Sequence, residues 1–197
     1  MPRAGIEHQL IVDTAMEMIQ KNGYHSLSLR EVAAKIGIKP ASIYNHVKGI
    51  DEIRLEVAKK VASDINHTIE TAIQGLDREE AFKQAIKAYR DYALKNEELY
   101  KAMIRMPKDD PHVTFKVGLE SFQAIRELIF NEYQLDRVQR VTIMRALRSE
   151  IHGYVELQQL TFFNVDSDSI DMSYDLIVQK YLDILLESER KYIEKGI

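Results

Sequence analysis

The sequence contains no cysteine and no tryptophan, and its 197 residues include only four prolines and eight glycines. The absence of cysteine excludes disulfide frameworks, thiolate metal sites and cysteine nucleophiles. No segment runs long enough without charge to span a bilayer, and the first residues lack the apolar stretch of a secretory signal. We therefore expect a globular protein of the cytoplasm, with no membrane partner.

Charge is distributed unevenly along the chain. The formal net charge of −4 at pH 7, taken alone, argues against a nucleic-acid partner. Residues 1–60, however, carry nine Lys and Arg against seven Asp and Glu, whereas the remaining residues carry 18 against 24. The N-terminal third is thus net positive by two charges, which makes it the candidate for contact with a polyanion.

Apolar residues recur at helical spacing throughout, and sustained strand-like alternation is missing. We therefore predict an all-α protein of about nine helices. The expected helices cover residues 6–21, 28–36, 40–47, 51–74, 77–105, 113–132, 136–162 and 169 to near the C-terminus, and a break near Asn96 would divide the fifth.

Residues 28–46 combine two short helices with a tight glycine turn. Ser28 and Glu31 form a capping box, in which the serine accepts the backbone N–H of Glu31 while the glutamate reaches back. Gly37 ends the first helix, and Pro40 begins the second at a position where its missing N–H is harmless. This layout is typical of a helix-turn-helix, whose second helix enters the major groove of DNA. An ordinary packed helix pair carries the same local signals, so both interpretations remain open on spacing alone.

The second short helix has two distinct sides. Ile43 and Val47, four residues apart, are expected to face inward. The opposite side offers side chains that hydrogen-bond base edges or phosphates: Lys39, Ser42, Asn45 and His46.

The string SLREVAAKIGIKPASIYNHVK at residues 28–48, followed by GIDEI, resembles the DNA-binding domain of the tetracycline-repressor (TetR) family. The resemblance covers about residues 6–53. It implies a three-helix DNA-binding domain over residues 1–50 and a larger helical effector-binding and dimerisation domain over residues 51–197. The implied function is that of a ligand-responsive transcriptional regulator, most simply a repressor, and not of an enzyme.

The resemblance also implies DNA contacts for ten residues. Four residues are expected to reach phosphates: Ser28, Tyr44, His46 and Lys48. Arg30 is expected to reach either a base or a phosphate. Those at the recognition-helix positions that choose bases are Lys39, Pro40, Ala41, Ser42 and Asn45. The alternatives are that Tyr44 lies mostly in the core, that His46 is a solvated surface residue and that Arg30 pairs with a neighbouring acid.

Two positions depart from the family pattern. Ile50 stands where a lysine is usual, so a phosphate contact at the start of the next helix must come from backbone N–H groups or be lost. Lys39 stands where a helix-capping Ser or Thr is common. Ile50 and the acidic balance support the rival hypothesis of a helical ligand-binding or protein-interaction module that has lost operator recognition.

A homodimer is expected, because one short helix in a groove buries only about 600 to 1,000 Å². The long helix ending near Phe162 and the final helix are the predicted interface. The final helix carries a clear apolar stripe, made of Tyr174, Ile177, Val178, Tyr181, Leu182 and Leu185. The alternative is that this stripe belongs to the internal core.

Residues 145–157 are similar to a subset of TetR-like C-terminal domains named for a Trp-His-Gly triplet, which is Ile151-His152-Gly153 here. Gly153 inside a helix costs about 1 kcal/mol relative to Ala, which indicates close helix packing or a ligand near the backbone.

The resemblance implies a small-molecule pocket among the middle helices. The candidate residues suit an apolar or planar ligand: Tyr89, Tyr92, Tyr100, Met103, Met106, Phe122 and His152. Each is alternatively a plain core residue. Nucleotide-binding and zinc-protease motifs are missing, and Asp64 with His67 is only a single possible ligand pair, so no cofactor or metal is expected.

Overall fold

The structure, a computed structural model, describes residues 8–163 and 166–195. Within these ranges the chain forms ten α-helices, one short 3-10 turn at Tyr24–Ser26 and no strand. The helices are α1 His8–Asn22, α2 Leu29–Lys35, α3 Pro40–Ile43, α4 Ile50–Ile73, α5 Arg78–Lys95, α6 Glu97–Ile104, α7 Pro111–Glu120, α8 Gln123–Glu132, α9 Arg137–Gln159 and α10 Ser167–Glu194. The all-α class is confirmed, with ten helices in the described ranges where about nine were expected.

The chain divides into two compact units. Unit 1 comprises the residues up to Asp64 together with Asn96–Ser121, and unit 2 comprises Ile65–Lys95 and the residues from Phe122 onward. Unit 1 therefore contains α6 and α7 as well as the N-terminal helices. The predicted functional boundary after residue 50 stays a prediction, because compactness does not report which residues bind DNA or a ligand.

The core of unit 1 follows the helical periodicity of its sequence. Ile11, Ala15 and Ile19, at four-residue spacing on α1, are fully buried. Ile43 and Val47 are also buried, which confirms the predicted inner side of the second short helix. The beginning of the first predicted helix, at Ile6, lies outside the described residues.

The core of unit 2 is formed by α5, α8, α9 and α10. Five members of the predicted apolar stripe on the last helix are buried within the chain itself: Tyr174, Val178, Tyr181, Leu182 and Leu185. The Tyr174 hydroxyl donates to the carbonyl of Ile86 on α5 at 3.0 Å. The prediction that this stripe faces a partner subunit is therefore wrong, because α5 and α9 already cover it.

Two predicted helix boundaries need correction. Residues 113–132 form two helices, α7 and α8, because Phe122 leaves the helical conformation and its buried ring packs on Tyr89. The helix predicted over residues 40–47 ends as a regular α-helix at Ile43. Hydrogen bonds from the N–H groups of Asn45 and Val47 to the carbonyls of Ser42 and Ile43 continue it as a turn.

The remaining boundaries lie close to prediction. Asn96 separates α5 from α6, which confirms the predicted break near this residue. Asp136 begins α9 with a full capping box, in which its side chain accepts the N–H of Gln139 and the Gln139 side chain accepts the N–H of Asp136. Asp166 caps α10, whereas Asn164 of the same polar segment lies outside the described residues.

Candidate nucleic-acid interface

The start of α2 is held by the predicted serine cap, with one difference. The Ser28 hydroxyl oxygen accepts the backbone N–H of Glu31 at 3.3 Å. The returning contact is made by the hydroxyl itself, which donates to the Glu31 carboxylate at 2.9 Å. The predicted return bond to the Ser28 backbone is thus replaced by a side-chain bond, and the Ser28 hydroxyl proton is engaged in the free protein.

The turn between α2 and α3 depends on Gly37. Its φ of +77° lies in the left-handed region, where a side chain is strained. The N–H groups of Gly37 and Ile38 bond the carbonyls of Ala34 and Ala33, which closes the C-terminus of α2. Lys39 is extended and Pro40 occupies the first turn of α3, so the chain turns sharply between the two helices.

Tyr44 is the most informative residue of this region. It lies between the buried Ile43 and the nearby buried Val47, yet 61% of its surface is exposed. The alternative that Tyr44 lies mostly in the core is therefore wrong. A large aromatic residue with a free polar tip on the outer side of a helix-turn-helix is well placed to meet a partner.

The other candidate DNA-binding residues differ in how far they are exposed to solvent. Ser28, Ser42 and His46 are half-buried, so His46 is not a fully solvated surface histidine. The exposed candidates, besides Tyr44, are Arg30, Lys39, Pro40, Ala41, Asn45 and Lys48.

The start of α4 is occupied by its own acidic side chains. Glu52 accepts the backbone N–H of Lys48 at 2.6 Å and lies 3.8 Å from the His8 ring nitrogen. Asp51 also lies in the first turn and pairs with Arg54 at 3.1 Å. The negative charges of Asp51 and Glu52 in the first turn of α4 disfavour a phosphate at this helix start, which weakens the compensation expected for Ile50.

A cavity of about 330 Å³ adjoins this helix start within unit 1. Its lining carries four carboxylates, from Asp51, Glu52, Asp109 and Asp110, against the single cation of Lys48. No local sequence pattern predicts this cavity, because its two walls lie more than fifty residues apart in the chain. Four carboxylates against one cation disfavour a phosphate inside this cavity.

The predicted effector-binding residues fall in both compact units. Unit 1 contains Tyr100, Met103 and Met106, all of them buried. Unit 2 contains the buried pair Tyr89 and Phe122 and the half-buried Tyr92 and His152.

Within unit 2 the aromatic pair is in direct contact. The rings of Tyr89 and Phe122 meet edge to face with centroids 5.4 Å apart, and the Arg148 guanidinium lies 5.9 Å from the Phe122 ring. Burial lowers the pKa of His152 below its ordinary value, against the opposing effect of the Glu156 carboxylate. At neutral pH this histidine is therefore a neutral, partly apolar side chain.

Sequence reasoning missed Arg90 as a polar element of unit 2. Only 8% of its surface is exposed, and its guanidinium pairs with Asp171 at 2.8 Å and donates to Gln158 at 3.1 Å. The guanidinium also lies 4.6 Å from the centroid of the Tyr174 ring. Its partners come from distant parts of the sequence, so no local motif could have revealed it.

The described part of the chain offers neither a membrane-spanning helix nor a metal-binding cluster. From 8 to 163 and from 166 to 195, every helix is too short or too polar to cross a membrane. Over that part of the chain, no group of three or more His, Asp or Glu side chains is arranged to hold a metal ion.

Fold and site together define a helix-turn-helix transcriptional regulator. The family model described as bacterial regulatory proteins of the tetR family matches residues 11–57. The model described as the tetracyclin repressor-like C-terminal domain matches residues 82–181, about half of the chain. The chain belongs to the TetR family, whose members are transcription factors without enzymatic activity.

Relatives named as HTH-type transcriptional regulators agree with this membership, and a solved structure shares the fold. The chain is 26% identical over 189 residues to an uncharacterized HTH-type transcriptional regulator of Bacillus subtilis, YobS, covering 94% of this chain and 95% of that protein. It is 29% identical over 170 residues to the uncharacterized HTH-type transcriptional regulator Rv0681 of Mycobacterium tuberculosis, covering 85% and 77% of the two chains. A crystal structure of a TetR variant from Acinetobacter baumannii in complex with minocycline superimposes with a TM-score of 0.68 at 15% identity, covering 93% and 98%.

Proposed function

We propose that this regulator binds a palindromic DNA operator as a homodimer and that a small molecule releases it, so that it acts as a repressor. The exposed Tyr44 beside the buried Ile43 carries the DNA-binding part of this proposal. The buried residue anchors α3 on the domain, and the exposed one leaves a polar aromatic tip where a major groove and its phosphates would lie.

The ten candidate residues divide by the kind of contact they would make. Tyr44, His46 and Lys48, at the C-terminal side of α3, are assigned to phosphates, together with Arg30, whose long exposed side chain reaches either a phosphate or a base. Ser28 reaches a phosphate with its hydroxyl only after that hydroxyl turns away from Glu31. Base selection is assigned to the half-buried Ser42 and to four exposed residues on α3 and on either side of it: Lys39, Pro40, Ala41 and Asn45.

Dimerisation is assigned to α9 and α10. Because the stripe beginning at Tyr174 is buried within the chain, other side chains of these helices would form the interface. Leu157 and Leu160 on α9 are exposed, as are Met172 and Leu176 on α10. Apolar side chains in water on two adjacent helices favour association. Two helix-turn-helix units in one dimer would then read two half-sites about one turn of DNA apart.

The effector pocket is assigned to unit 2. The TetR variant of similar fold binds minocycline, a property of that protein. For this chain the contact between Tyr89 and Phe122, with Tyr92 and His152 in the same unit, supports a planar or apolar ligand. Tyr100, Met103 and Met106 are less well supported, because they belong to unit 1.

The test of the DNA-binding proposal uses a palindromic site from the region upstream of the protein's own gene. Fluorescence anisotropy should give a nanomolar Kd that rises steeply with salt, because Lys and Arg contacts release counterions from DNA. A scrambled site of the same composition is the control. Absent or salt-insensitive binding would instead support the module that has lost operator recognition.

The release proposal is tested on the preformed complex. A panel of planar aromatic and apolar compounds is titrated into protein bound to labelled operator. A true effector must bind the DNA-free form more tightly, by about 10,000-fold if it is to reverse a 99:1 preference. A compound that binds the free protein and the complex with equal affinity is excluded as an inducer. Expression of a reporter gene placed behind the operator distinguishes repression from activation.

A further inference from the structure

Glu31, in the first turn of α2, holds the hydroxyl group of Ser28 from two sides. Its backbone N–H donates to the Ser28 hydroxyl oxygen at 3.3 Å, and its carboxylate accepts the hydroxyl proton at 2.9 Å. A serine hydroxyl has one proton and therefore donates to one acceptor at a time. A DNA phosphate that takes this proton must first displace the Glu31 carboxylate.

The negative charge of Glu31 is not neutralised by a cation. Lys35 follows it by four residues, the spacing at which a glutamate and a lysine pair on a helix. The Lys35 ammonium group instead lies 2.8 Å from the Glu17 carboxylate on α1. Within the ranges that the structure describes, Ser28 is the only residue whose side chain bonds the Glu31 carboxylate.

Displacement of the carboxylate does not require α2 to unwind. The Ser28 hydroxyl is both a donor and an acceptor, so its oxygen can keep the N–H of Glu31 while its proton turns elsewhere. The N–H of Val32 bonds the Ser28 carbonyl at 3.0 Å and is independent of the hydroxyl. Glu31 is exposed, so its side chain is free to move into water. The start of α2 therefore tolerates the exchange.

The charge of Glu31 also opposes a phosphate directly. Two acceptors that each lie one hydrogen-bond length from the Ser28 oxygen are about 5 Å apart. In water, the repulsion of two unit negative charges at that distance is equivalent to about a fourfold loss of affinity. Glu31 thus acts against this contact both by holding the proton and by its charge.

We infer that Glu31 competes with DNA for the Ser28 hydroxyl and thereby lowers the affinity of the regulator for its operator. This inference rests on the phosphate contact proposed for Ser28 and adds a positioning residue that opposes it. Glu31 acts through Ser28 and contacts no base. A residue that only capped α2 would support DNA binding, so the two roles predict changes of opposite sign when the charge is removed.

The test measures the operator Kd of the wild type, Glu31→Gln, Ser28→Gly and the double variant by fluorescence anisotropy. Glutamine also occurs in capping boxes, so Glu31→Gln removes the charge and keeps an acceptor. We expect it to bind the operator about fivefold more tightly at low salt, with the gain shrinking as salt screens the repulsion. Glycine lacks the hydroxyl and costs an N-cap little, so the same change in the Ser28→Gly background should gain less than about twofold.

Asp13→Asn is the matched control for the change in net charge. Asp13 is exposed on α1 in the same compact unit, and its carboxylate also has a neutral partner, since it accepts from the Gln9 side chain at 2.8 Å. Asp13→Asn should change the operator Kd by less than about twofold, because its charge is not held against a candidate DNA contact. Circular dichroism of each variant checks that the chain is folded.

Three outcomes would overturn the inference. A folded Glu31→Gln that binds the operator no more tightly than the wild type would show that Glu31 does not oppose DNA. An equal gain with and without the Ser28 hydroxyl would show that Glu31 does not act through Ser28. Either result, with a wild type that binds the operator, refutes only the role of Glu31. A wild type that binds no operator would refute the proposed function itself, and the Ser28 contact with it.

Discussion

The Glu98 carboxylate on α6 accepts the backbone N–H of Tyr24 at 3.0 Å. Lys101 donates to the same carboxylate at 2.9 Å, and the Tyr24 hydroxyl donates to the carbonyl of Arg105 at 3.0 Å. These bonds attach the turn after α1 to both ends of α6. Within unit 1, α6 is therefore packed with the N-terminal helices and not only connected to them through α5.

Replacing Glu98 should give a pH-dependent loss of stability. The hydrogen bond from Lys101, and then that from Tyr24, lower the pKa of Glu98 below its ordinary value of 4.5. The stabilisation is therefore present above that value and is lost as the pH falls through the lowered pKa. We expect Glu98→Gln to reduce the free energy of unfolding by about 1 kcal/mol at pH 7, with the difference from wild type shrinking toward zero in acid.

Glu97→Gln is the matched control for this experiment. Glu97 also pairs with Lys101, but Tyr24 donates to Glu98. Its replacement should cost less than about 0.5 kcal/mol, as for an exposed ion pair. Urea unfolding of both variants between pH 3 and pH 7 measures the difference. Equal costs at pH 7 would show that the charge on Glu98 does not strengthen the bond from Tyr24.

Local sequence signals were sufficient for most of the fold. Four-residue apolar spacing predicted the burial of Ile43 and Val47, because a helix places such residues on one face whatever covers them. The same argument could not say what covers a face. The stripe beginning at Tyr174 has the pattern of an interface, yet it is buried against α5 and α9 of the same chain.

The candidate site was predictable only where it depends on local sequence signals. The capping and turn signals around Ser28 and Gly37 are local, and the structure places them as expected except for the return bond of Glu31, which goes to the Ser28 hydroxyl. The acidic groove near Glu52 and the buried Arg90 depend on neighbours distant in sequence. Tertiary packing, and not periodicity, decides which aromatic residues meet, so Tyr89 contacts Phe122 whereas Tyr100 lies in the other unit.

The buried Glu189 should be important for the stability of unit 2. It accepts bonds from Arg78 at 2.9 Å and from the backbone N–H of Gln134 at 2.8 Å. Removing its charge leaves these donors poorly satisfied, although Arg78 keeps some contact with water. We expect Glu189→Gln to lower the free energy of unfolding by about 2 kcal/mol. The control Glu187→Gln breaks an exposed pair with Lys191 and should leave the free energy of unfolding unchanged.

Thr161 should be replaceable with a gain in stability. The N–H of Thr161 bonds the carbonyl of Gln158 and that of Phe162 bonds Leu157, which closes the C-terminus of α9 in a Schellman motif. Thr161 has a φ of +58°, a conformation that strains a β-branched residue. Thr161→Gly should raise the free energy of unfolding by about 1 kcal/mol in chemical denaturation. Thr161→Ala keeps a Cβ and should gain less; a loss for the glycine variant would contradict the strain.

Tyr44 and Asn45 should affect DNA binding in different ways. Because Tyr44 is largely exposed, Tyr44→Ala should leave the fold intact and weaken binding about tenfold to every operator sequence, as expected for a lost phosphate contact. Asn45→Ala, and likewise Lys39→Ala, should relax the preference at one base position by about 1 to 3 kcal/mol.

Anisotropy titrations against the operator and its single-base variants separate these effects. Lys48→Ala serves as a reference for a charged phosphate contact, since it should lower the slope of log Kd against log salt by about one, whereas Tyr44→Ala should not change that slope. If Tyr44→Ala altered base preference while Asn45→Ala weakened all sequences equally, the assignment of the two residues would be reversed. Tyr44, at the C-terminal end of α3, would then select a base, and Asn45 would contact a phosphate.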